Sequence, residues 1–498
     1  MSSLILFTVF AIYLLVLILI GIASYRTGVS TAEDYFMAGR SFGCVVLFMS
    51  LFGTNVTAFA LIGMPGISYH AGIGTFGFFG AIAAFVTPMS FILLGYPIWN
   101  IGRRHGYMTP SQMFGDRWQS KGIAYLLFVL LLLYTVPYLI IGLMGGGIAI
   151  EAISKGLVPY AMGAAFVTGV TVIYTSLGGM RGTAWTNVFQ ATLFLVFLLI
   201  AFFGISAKLG GFEAIGQRLI TEAPQLLGKQ HPRLAPGIWA TGFLVGPLSV
   251  IAFPHIFLRL MTARDSSALR RTILMYPLGL VLLYVPITLI GVWGALDIPG
   301  LIGKESDKIL PLLVEKHLPI WLSAVGLTAI LAAVMSSLDG QILTISTMLT
   351  VDIFAHQRQK ALPIVGRIGV ITIAALCLAV ALLRPAGIFD ISVYAFSGYT
   401  LIVPVMVAGL FWRKSTAAGI LSGTVAGHGL LALYYIGLEF PSFGMFPVFG
   451  CLVVEAFVIY LVSIRTSPPS PQTIEKFDNP FGKSSSKHRP THPKLVGH

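Results

Sequence analysis

Residues 53–66 read GTNVTAFALIGMPG, and they interrupt what is otherwise a long apolar run. A second interrupted run contains GP at residues 246–247 and FPH at residues 253–255. Glycine and proline break helices, and spans broken at corresponding positions of two halves are typical of a transporter site at the middle of a bilayer. The ordinary alternative is that Gly and Pro are simply common in membrane helices.

The composition places the whole chain in a membrane. Its 498 residues are 56% hydrophobic and 10% charged, with a mean hydropathy of +0.88. Soluble globular proteins carry about 25% charged residues, so an ordinary soluble enzyme is excluded. With about 20 apolar residues needed for each spanning helix, we predict about 13 spans. They cover residues 4–24, 45–70, 74–99, 122–148, 158–177, 184–206, 237–259, 272–295, 321–354, 362–383, 388–412, 415–438 and 445–464.

The two interrupted spans divide this series into two blocks of five helices. Each interrupted span opens a block, the first at residues 45–206 and the second at 237–412, with one helix before them at 4–24 and two after them at 415–464. Because five is odd, the second block has the opposite orientation in the membrane. We therefore expect an all-α polytopic membrane protein in which residues 1–465 form a five-plus-five inverted repeat with three extra helices.

The charge distribution predicts the orientation. There are 31 Lys and Arg against 18 Asp and Glu, a net charge of +13. In a soluble chain this excess would suggest nucleic acid, but cytoplasmic loops of membrane proteins are also enriched in Lys and Arg. We expect a multi-pass protein of the cytoplasmic (inner) membrane with its N-terminus outside. Its surroundings are the lipid bilayer, with no nucleic acid and no obligatory protein partner.

The segment after residue 465 differs in composition from the rest. Residues 466–498 are rich in proline, serine and lysine and poor in apolar residues. Such a segment cannot bury a core. We expect a basic, disordered tail on the cytoplasmic side.

One face of the span at 321–354 collects small and polar residues. At about 100° per residue, this face carries Ala333, Ser336, Ser337, Gly340 and Thr344, with Asp339 and Gln341 at its edges. Hydroxyl and carbonyl oxygens suit a hard cation such as sodium. Serines in membrane helices also commonly bond back to their own helix, but a carboxylate three residues from Ser336 favours a functional site.

Motifs of soluble enzymes are absent from the sequence. There is no glycine-rich phosphate loop, no His-Glu-x-x-His and no Gly-x-Ser-x-Gly. An enzyme embedded in the membrane would need an acid–base pair or metal ligands, and Asp339 has no His or Cys partner in its own helix. We therefore expect a transporter that is driven by an ion gradient, with no cofactor apart from the coupling ion.

Several longer motifs resemble those of the sodium:solute symporter family, which includes sodium-coupled proline, pantothenate, sialic acid and sugar transporters. The similarity extends from about residue 5 to residue 465. Its specific pieces are DYFMAGRS at 34–41, GMPG at 63–66, GGMR at 178–181 with WTN at 185–187 and Gln190, Pro254-His255 with Arg259, and the stretch 332–354.

The resemblance implies a LeuT-type inverted-repeat fold that works by alternating access. It also implies sodium-coupled symport of a small organic solute. The family's main sodium site uses backbone carbonyls of the first broken helix and of the Ala-x-x-Ser-Ser stretch, together with the two hydroxyls. On this chain those positions are Gly53, Val56, Ala333, Ser336 and Ser337.

A second cation site is altered relative to the family. Relatives with such a site use an aspartate in a Trp-Thr-Asp stretch, which here ends in Asn187, and Asp339 occupies a position where those relatives have serine. We hypothesise that the carboxylate has moved between helices, so that Asp339 and Asn187 bind a second cation or a proton. A proton-coupled symporter using Asp339 is the alternative function. A membrane sensor is a weaker one, because related domains are fused to kinases and no kinase region follows residue 465.

The solute is expected between the two broken helices. The residues that we assign to it are Thr54, Asn55, Thr57, Phe59, Ser249, Phe253 and Gln341. None of them is basic, so an anionic solute would rely on helix N-termini and on the polar groups of the first break. Amino acids, monocarboxylates, vitamins and sugars are all compatible with this set.

Overall fold

The computed structural model describes residues 2–27, 31–154, 156–228, 234–353, 362–384, 388–438 and 441–482, and these fold almost entirely into helices. The α-helices are Ser2–Thr27, Ala32–Met37, Cys44–Asn55, Met64–Ala71, Phe76–His105, Pro110–Arg117, Lys121–Ile153, Tyr160–Lys208, Gly211–Glu222, Pro236–Thr241, Pro254–Met261, Ser266–Asp297, Ile309–His317, Ile320–Met348, Leu362–Ala381, Ile388–Thr400, Val403–Phe411, Ala417–Tyr435, Pro447–Ser463 and Pro471–Phe477.

Two of the spans are broken where the sequence predicts. Cys44–Asn55 and Phe59–Ala71 form the first broken helix, with a bend of 57°, and Pro236–Ala252 and Pro254–Met261 form the second, with a bend of 47°. In the described part of the chain, 9 helices are long and apolar enough to cross a membrane, or up to 11 when each broken pair counts as one span.

One helix is too long for a single crossing. Tyr160–Lys208 has 49 residues, about 74 Å at 1.5 Å per residue, against about 30 Å for the hydrocarbon core. Its helical geometry fails at Gly179 (φ 52°, ψ −150°), between the predicted spans 158–177 and 184–206. We call it the kinked helix. Pro447–Ser463 is apolar but shorter, at 17 residues, so the total of 13 spans stays a prediction.

The most enclosed element is Ile320–Met348, which we call the serine helix. Every residue from Gly326 to Met348 is buried. It packs against the first helix, Lys121–Ile153, the kinked helix and Leu362–Ala381, and it also contacts both broken helices. An apolar core therefore surrounds the polar side chains of the serine helix, which is the setting that a site for a desolvated ion requires.

The segment after residue 465 differs from the sequence prediction. Disorder was expected throughout 466–498, but Pro471–Phe477 is a helix whose first turn is capped by Ser470, which accepts a hydrogen bond from Thr473 N–H. The prediction is wrong for this part, because average composition hides single aromatic anchors. Residues 483–498 lie outside the described residues.

The anchor of this terminal helix is Phe477, which is 3% exposed. Its ring lies 5.6 Å from the Arg117 guanidinium and 6.3 Å from the ring of Tyr107. Burial lowers the pKa of Arg117 to about 10, which leaves its guanidinium charged at neutral pH. Asp478 pairs with Arg413 beside it. The chain after the last span is thus fixed to the loops at one end of the bundle.

Candidate functional site

The first broken helix presents backbone oxygens at its break. Its first half ends at Asn55, Val56 is extended (φ −83°, ψ 105°), and the second half begins at Phe59. The last four carbonyls of a helix have no obligatory partner within that helix. Here the Val56 N–H donates to the carbonyl of Phe52. The carbonyl of Gly53 is therefore free to face a neighbouring helix.

The serine helix meets this break at Ser336. Its Oγ lies 2.8 Å from the Gly53 carbonyl oxygen and 2.8 Å from the Ala333 carbonyl oxygen. The Ser337 hydroxyl donates instead to the Val334 carbonyl at 2.9 Å, which is the bond back to its own helix described above. The structure thus brings Gly53, Ala333 and Ser336 to one point between two helices.

These helices approach closely because one contact position lacks a side chain. A Cβ placed on Gly340 would lie 2.5 Å from Thr54 Cγ2, well inside van der Waals contact. On its other side, Thr54 Oγ1 accepts a hydrogen bond of 2.6 Å from Asn187 Nδ2 of the kinked helix. Hydroxyl, carbonyl and amide groups therefore cluster where the first broken helix, the serine helix and the kinked helix meet.

Asp339 lies one turn from Ser336 and faces a cation supplied by the protein. Its Oδ1 is 3.8 Å from Arg259 Nη2, and its Oδ2 accepts a hydrogen bond of 3.1 Å from Thr186 Oγ1. Both charged side chains are buried, at 0% and 1% exposure. Asn187, which was expected opposite Asp339, uses its amide on Thr54 instead.

Sequence reasoning had used Arg259 only as part of a family motif. A signal was nevertheless present, since Arg259 is the single Lys or Arg of the predicted span 237–259. Charged residues inside spans are costly, and they normally pair with one another. Asp339 was its natural partner by that rule.

The solute residues divide into an aromatic group and a polar group. Phe59 and Phe253, one from each broken helix, lie 5.2 Å and 5.4 Å from the ring of Phe396. Tyr138 joins them, with its ring 5.2 Å from Phe253 and its hydroxyl 3.5 Å from Thr57 Oγ1. The two breaks are thus bridged by aromatic rings. Phe396 and Tyr138 come from other helices, and the sequence had not distinguished them from the many other aromatic residues.

The polar residues of the proposed solute set differ in whether their side chains already form hydrogen bonds within the protein. Ser249 Oγ donates to Gly246 O at 2.8 Å and so stabilises its own turn. Gln341 is 1% exposed, and its Oε1 accepts no hydrogen bond from the described residues. Asn55 ends the first half-helix and is partly exposed. Gln341 is therefore the member with an unused buried acceptor.

A cleft of about 320 Å³ opens beyond the aromatic cluster. Its lining comes from the second half of the first broken helix, the loop before Ile309–His317 and the start of Ile388–Thr400. Phe389 is part of that lining, and its ring lies 5.9 Å from Phe59. Phe59 therefore contacts both the lining of the cleft, at Phe389, and the aromatic cluster that bridges the two breaks, at Phe396.

Comparisons with known proteins show the family and the fold of this chain. The family model of the sodium:solute symporter family matches residues 35–427. The sodium/pantothenate symporter of Escherichia coli (strain K12) is 27% identical over 88% of this chain and 92% of its own length. The sodium/proline symporter of the same organism is 24% identical over 94% of each chain.

Solved structures share the fold at lower identity. A Na⁺-coupled sialic acid symporter in a substrate-bound outward-open state superposes with a TM-score of 0.80 and 17% identity, over 94% of this chain and 99% of that one. Mhp1, a nucleobase-cation-symport-1 family transporter, has a TM-score of 0.59 and 13% identity, over 90% and 98%. The inverted-repeat fold is confirmed, and the chain belongs to the sodium:solute symporter family.

Proposed function

We propose that this protein is a secondary active transporter that carries a small organic solute together with sodium across the cytoplasmic membrane by alternating access. The observation that carries the proposal is the meeting of the Ser336 hydroxyl with the Gly53 carbonyl at 2.8 Å, inside a helix break. Carbonyls freed at a broken helix are the oxygen ligands that such transporters use for a cation. Membership of a family of transporters gives an enzymatic role no support.

The sodium ligands that we propose are the carbonyls of Gly53, Val56 and Ala333 and the hydroxyls of Ser336 and Ser337. Three of these groups already meet at one point. To bind sodium, the Ser337 hydroxyl would have to give up its hydrogen bond to the Val334 carbonyl. All five ligands are neutral, so a bound sodium keeps its charge and joins the first broken helix to the serine helix. Such a link lets ion occupancy favour one arrangement of the helices over another.

The solute position that we propose lies between the aromatic cluster and the polar groups of the first break. Phe59 and Phe253 would pack on apolar parts of the solute, and Thr57 and Gln341 would bond its polar parts. Thr54, Asn55 and Ser249 complete the proposed set. The relatives are named as symporters of pantothenate and proline, both of which carry a carboxylate. These two define the first solutes to test, among amino acids, monocarboxylates, vitamins and sugars.

The coupling energy is sufficient for uptake. Moving one charge through 100 mV gives about 2.3 kcal/mol, and a tenfold sodium gradient adds about 1.4 kcal/mol. One sodium ion can therefore support several-hundredfold accumulation of a neutral solute.

The proposed orientation places the C-terminus in the cytoplasm. At one end of the bundle, Arg104 donates to the Asn479 carbonyl at 2.8 Å and Arg103 donates to the Ala263 carbonyl at 3.0 Å. Arg117 and Arg413 lie in the same region, around the terminal helix. Such a concentration of basic residues supports a cytoplasmic location for this end.

The test is uptake into proteoliposomes. Radiolabelled pantothenate, proline, sialic acid and glucose are supplied under an inward sodium gradient at equal pH, or under a pH gradient in potassium without sodium. We expect accumulation of at least one solute with sodium only, and a loss of at least tenfold in its uptake in Ser336→Ala. Accumulation driven by the pH gradient alone would contradict the proposal and favour proton coupling through Asp339.

A further inference from the structure

The carboxylate of Asp339 sits where four helical segments converge. Arg259 Nη2 approaches it at 3.8 Å from the second broken helix, and Thr186 Oγ1 donates to it at 3.1 Å from the kinked helix. The same guanidinium also donates two hydrogen bonds. One runs from Nη2 to Thr183 Oγ1 at 3.0 Å, and the other runs from Nη1 to Ser50 Oγ of the first broken helix. Arg259 thus contacts the first broken helix, the kinked helix and the serine helix at once.

The charges at this point are already balanced. A carboxylate taken out of water needs a positive partner, and Arg259 is the cation that the described residues bring to Asp339. A guanidinium does not lose its proton in proteins, so this partner is permanent. A free cation bound to the same carboxylate would lie close to that guanidinium, and like charges repel strongly in a buried setting.

The neighbouring site has the opposite character. Ser336, three residues before Asp339, faces the Gly53 carbonyl with neutral oxygen atoms only. A cation that enters there brings the only unbalanced charge and can leave again. The position at Ser336 can therefore hold an exchangeable ion. One turn away, at Asp339, the cation is the side chain of Arg259.

We propose that the Arg259 guanidinium is the fixed counter-ion of Asp339 and holds the place of a second coupling cation, so that one sodium ion accompanies each solute. This inference rests on the proposed function, because it assumes that sodium binds at Ser336. It replaces the pairing of Asp339 with Asn187 by a pairing of Asp339 with Arg259. Arg259 is in this sense a positioning residue that sets the ion stoichiometry.

The test counts sodium ions directly, without knowledge of the solute. Equilibrium dialysis with ²²Na⁺ is carried out on the purified full chain, as wild type, Asp339→Asn, Arg259→Gln and the double variant, with Arg259→Lys as the control that keeps the cation. We expect one ion per chain in wild type, Asp339→Asn and Arg259→Lys. Arg259→Gln leaves the Asp339 carboxylate without its counter-ion, so this variant should bind two sodium ions. The double variant has no carboxylate at this position and should bind one.

Several results would overturn the inference. Two ions in wild type that fall to one in Asp339→Asn would make Asp339 a sodium ligand, and so would a single ion that is lost in Asp339→Asn. A single ion in Arg259→Gln would show that the guanidinium does not hold a cation position.

Thermal unfolding separates failure of this inference from failure of the proposed function. If wild type binds no sodium, the site at Ser336 is refuted, but the pairing can still be judged. A double variant that melts above both single variants supports the ion pair, because the two losses compensate. A double variant whose melting temperature falls by the sum of the two single losses refutes the ion pair. The same comparison of melting temperatures tests the ion pair if Arg259→Gln is too unstable for dialysis.

Discussion

The two broken helices occupy corresponding positions in the two repeats, yet they bring different chemistry to the serine helix. The first breaks after Asn55 and offers the Gly53 carbonyl, a neutral dipole, to Ser336. The second resumes at Pro254 and offers the Arg259 guanidinium, a full charge, to Asp339. The fold alone therefore does not determine whether a broken helix presents a neutral carbonyl or a charged side chain to the serine helix; the residues beside the break decide it.

Their backbones differ in a related way. Val56 bridges the first break with an ordinary extended conformation. The second break is preceded by an irregular turn in which Gly246 has φ 130° and Val245 has φ −93°, ψ 76°. The backbone conformation at Val56 is one that any residue can adopt, whereas the turn before the second break depends on a conformation that favours glycine.

Of three further substitutions, the one with the largest expected effect lies where the first broken helix touches the serine helix. Gly340→Val would place atoms against Thr54, where a Cβ alone already lies 2.5 Å from Cγ2. Overpacking of this kind costs about 1–3 kcal/mol, and we expect the upper part of that range together with loss of sodium-dependent stabilisation, measured by thermal unfolding. Gly429→Val is the matched control, since a Cβ there meets nothing within 4 Å. If both variants responded equally to sodium, the close contact would not matter for the site.

A smaller effect is expected at the turn of the second broken helix. Gly246→Ala combines φ 130° with a Cβ 2.2 Å from Phe79 Cε2, and a strained backbone position costs about 1–3 kcal/mol. We expect a lower melting temperature but continued sodium dependence, because the hydrogen bonds of Ser336 go to the carbonyls of Gly53 and Ala333 and not to Gly246. Gly216→Ala, in the helix Gly211–Glu222, is the control, because a Cβ on Gly216 would meet nothing within 4 Å. Loss of sodium binding in Gly246→Ala would remove the distinction between the two breaks.

The smallest effect is expected at a more exposed Arg–Asp pair, which calibrates the buried one. Arg181 Nη2 lies 2.6 Å from Asp34 Oδ1, closer than Arg259 to Asp339, but the two side chains are 31% and 11% exposed, against 1% and 0% in the buried pair. Solvent screening limits such pairs to about 0–1 kcal/mol, against about 3–5 kcal/mol for removing one partner of a buried pair. Asp34→Asn should lower the melting temperature slightly in 0.1 M KCl and not at all in 1 M KCl. A loss as large as that of Asp339→Asn would show that distance, not burial, governs both pairs.

Much of the fold and part of the site follow from sequence. The breaks near Asn55 and Phe253, and the shared face of Ala333 and Ser336, are local features that helix periodicity and Gly/Pro placement reveal. The pairing of Arg259 with Asp339 is different, because it depends on how two helices about 80 residues apart approach each other. A local sequence pattern can mark each charged residue as unusual, but it does not show that the two helices bring Arg259 and Asp339 together.

Two further features show the same limit. Hydropathy locates the apolar stretches on either side of Gly179, but it does not show that the chain stays helical through the kink. Composition describes the polar segment after residue 465, but the burial of Phe477 depends on Arg117 and Tyr107, far away in sequence. Tertiary contacts decide both cases.

The central claim is that sodium binds between the first broken helix and the serine helix, and thermal unfolding of the purified protein in sodium chloride against potassium chloride tests it most directly. A ligand that binds only the folded state stabilises it, by about 2.7 kcal/mol at a hundred times its Kd. We predict a saturable rise in melting temperature with sodium alone, which is lost in Ser336→Ala and Ser337→Ala. The rise should be kept in Ser346→Ala, because the Ser346 hydroxyl, farther along the serine helix, donates to the Gly366 carbonyl of the helix Leu362–Ala381. An equal response to both salts, or an undiminished sodium response in Ser336→Ala, would contradict it.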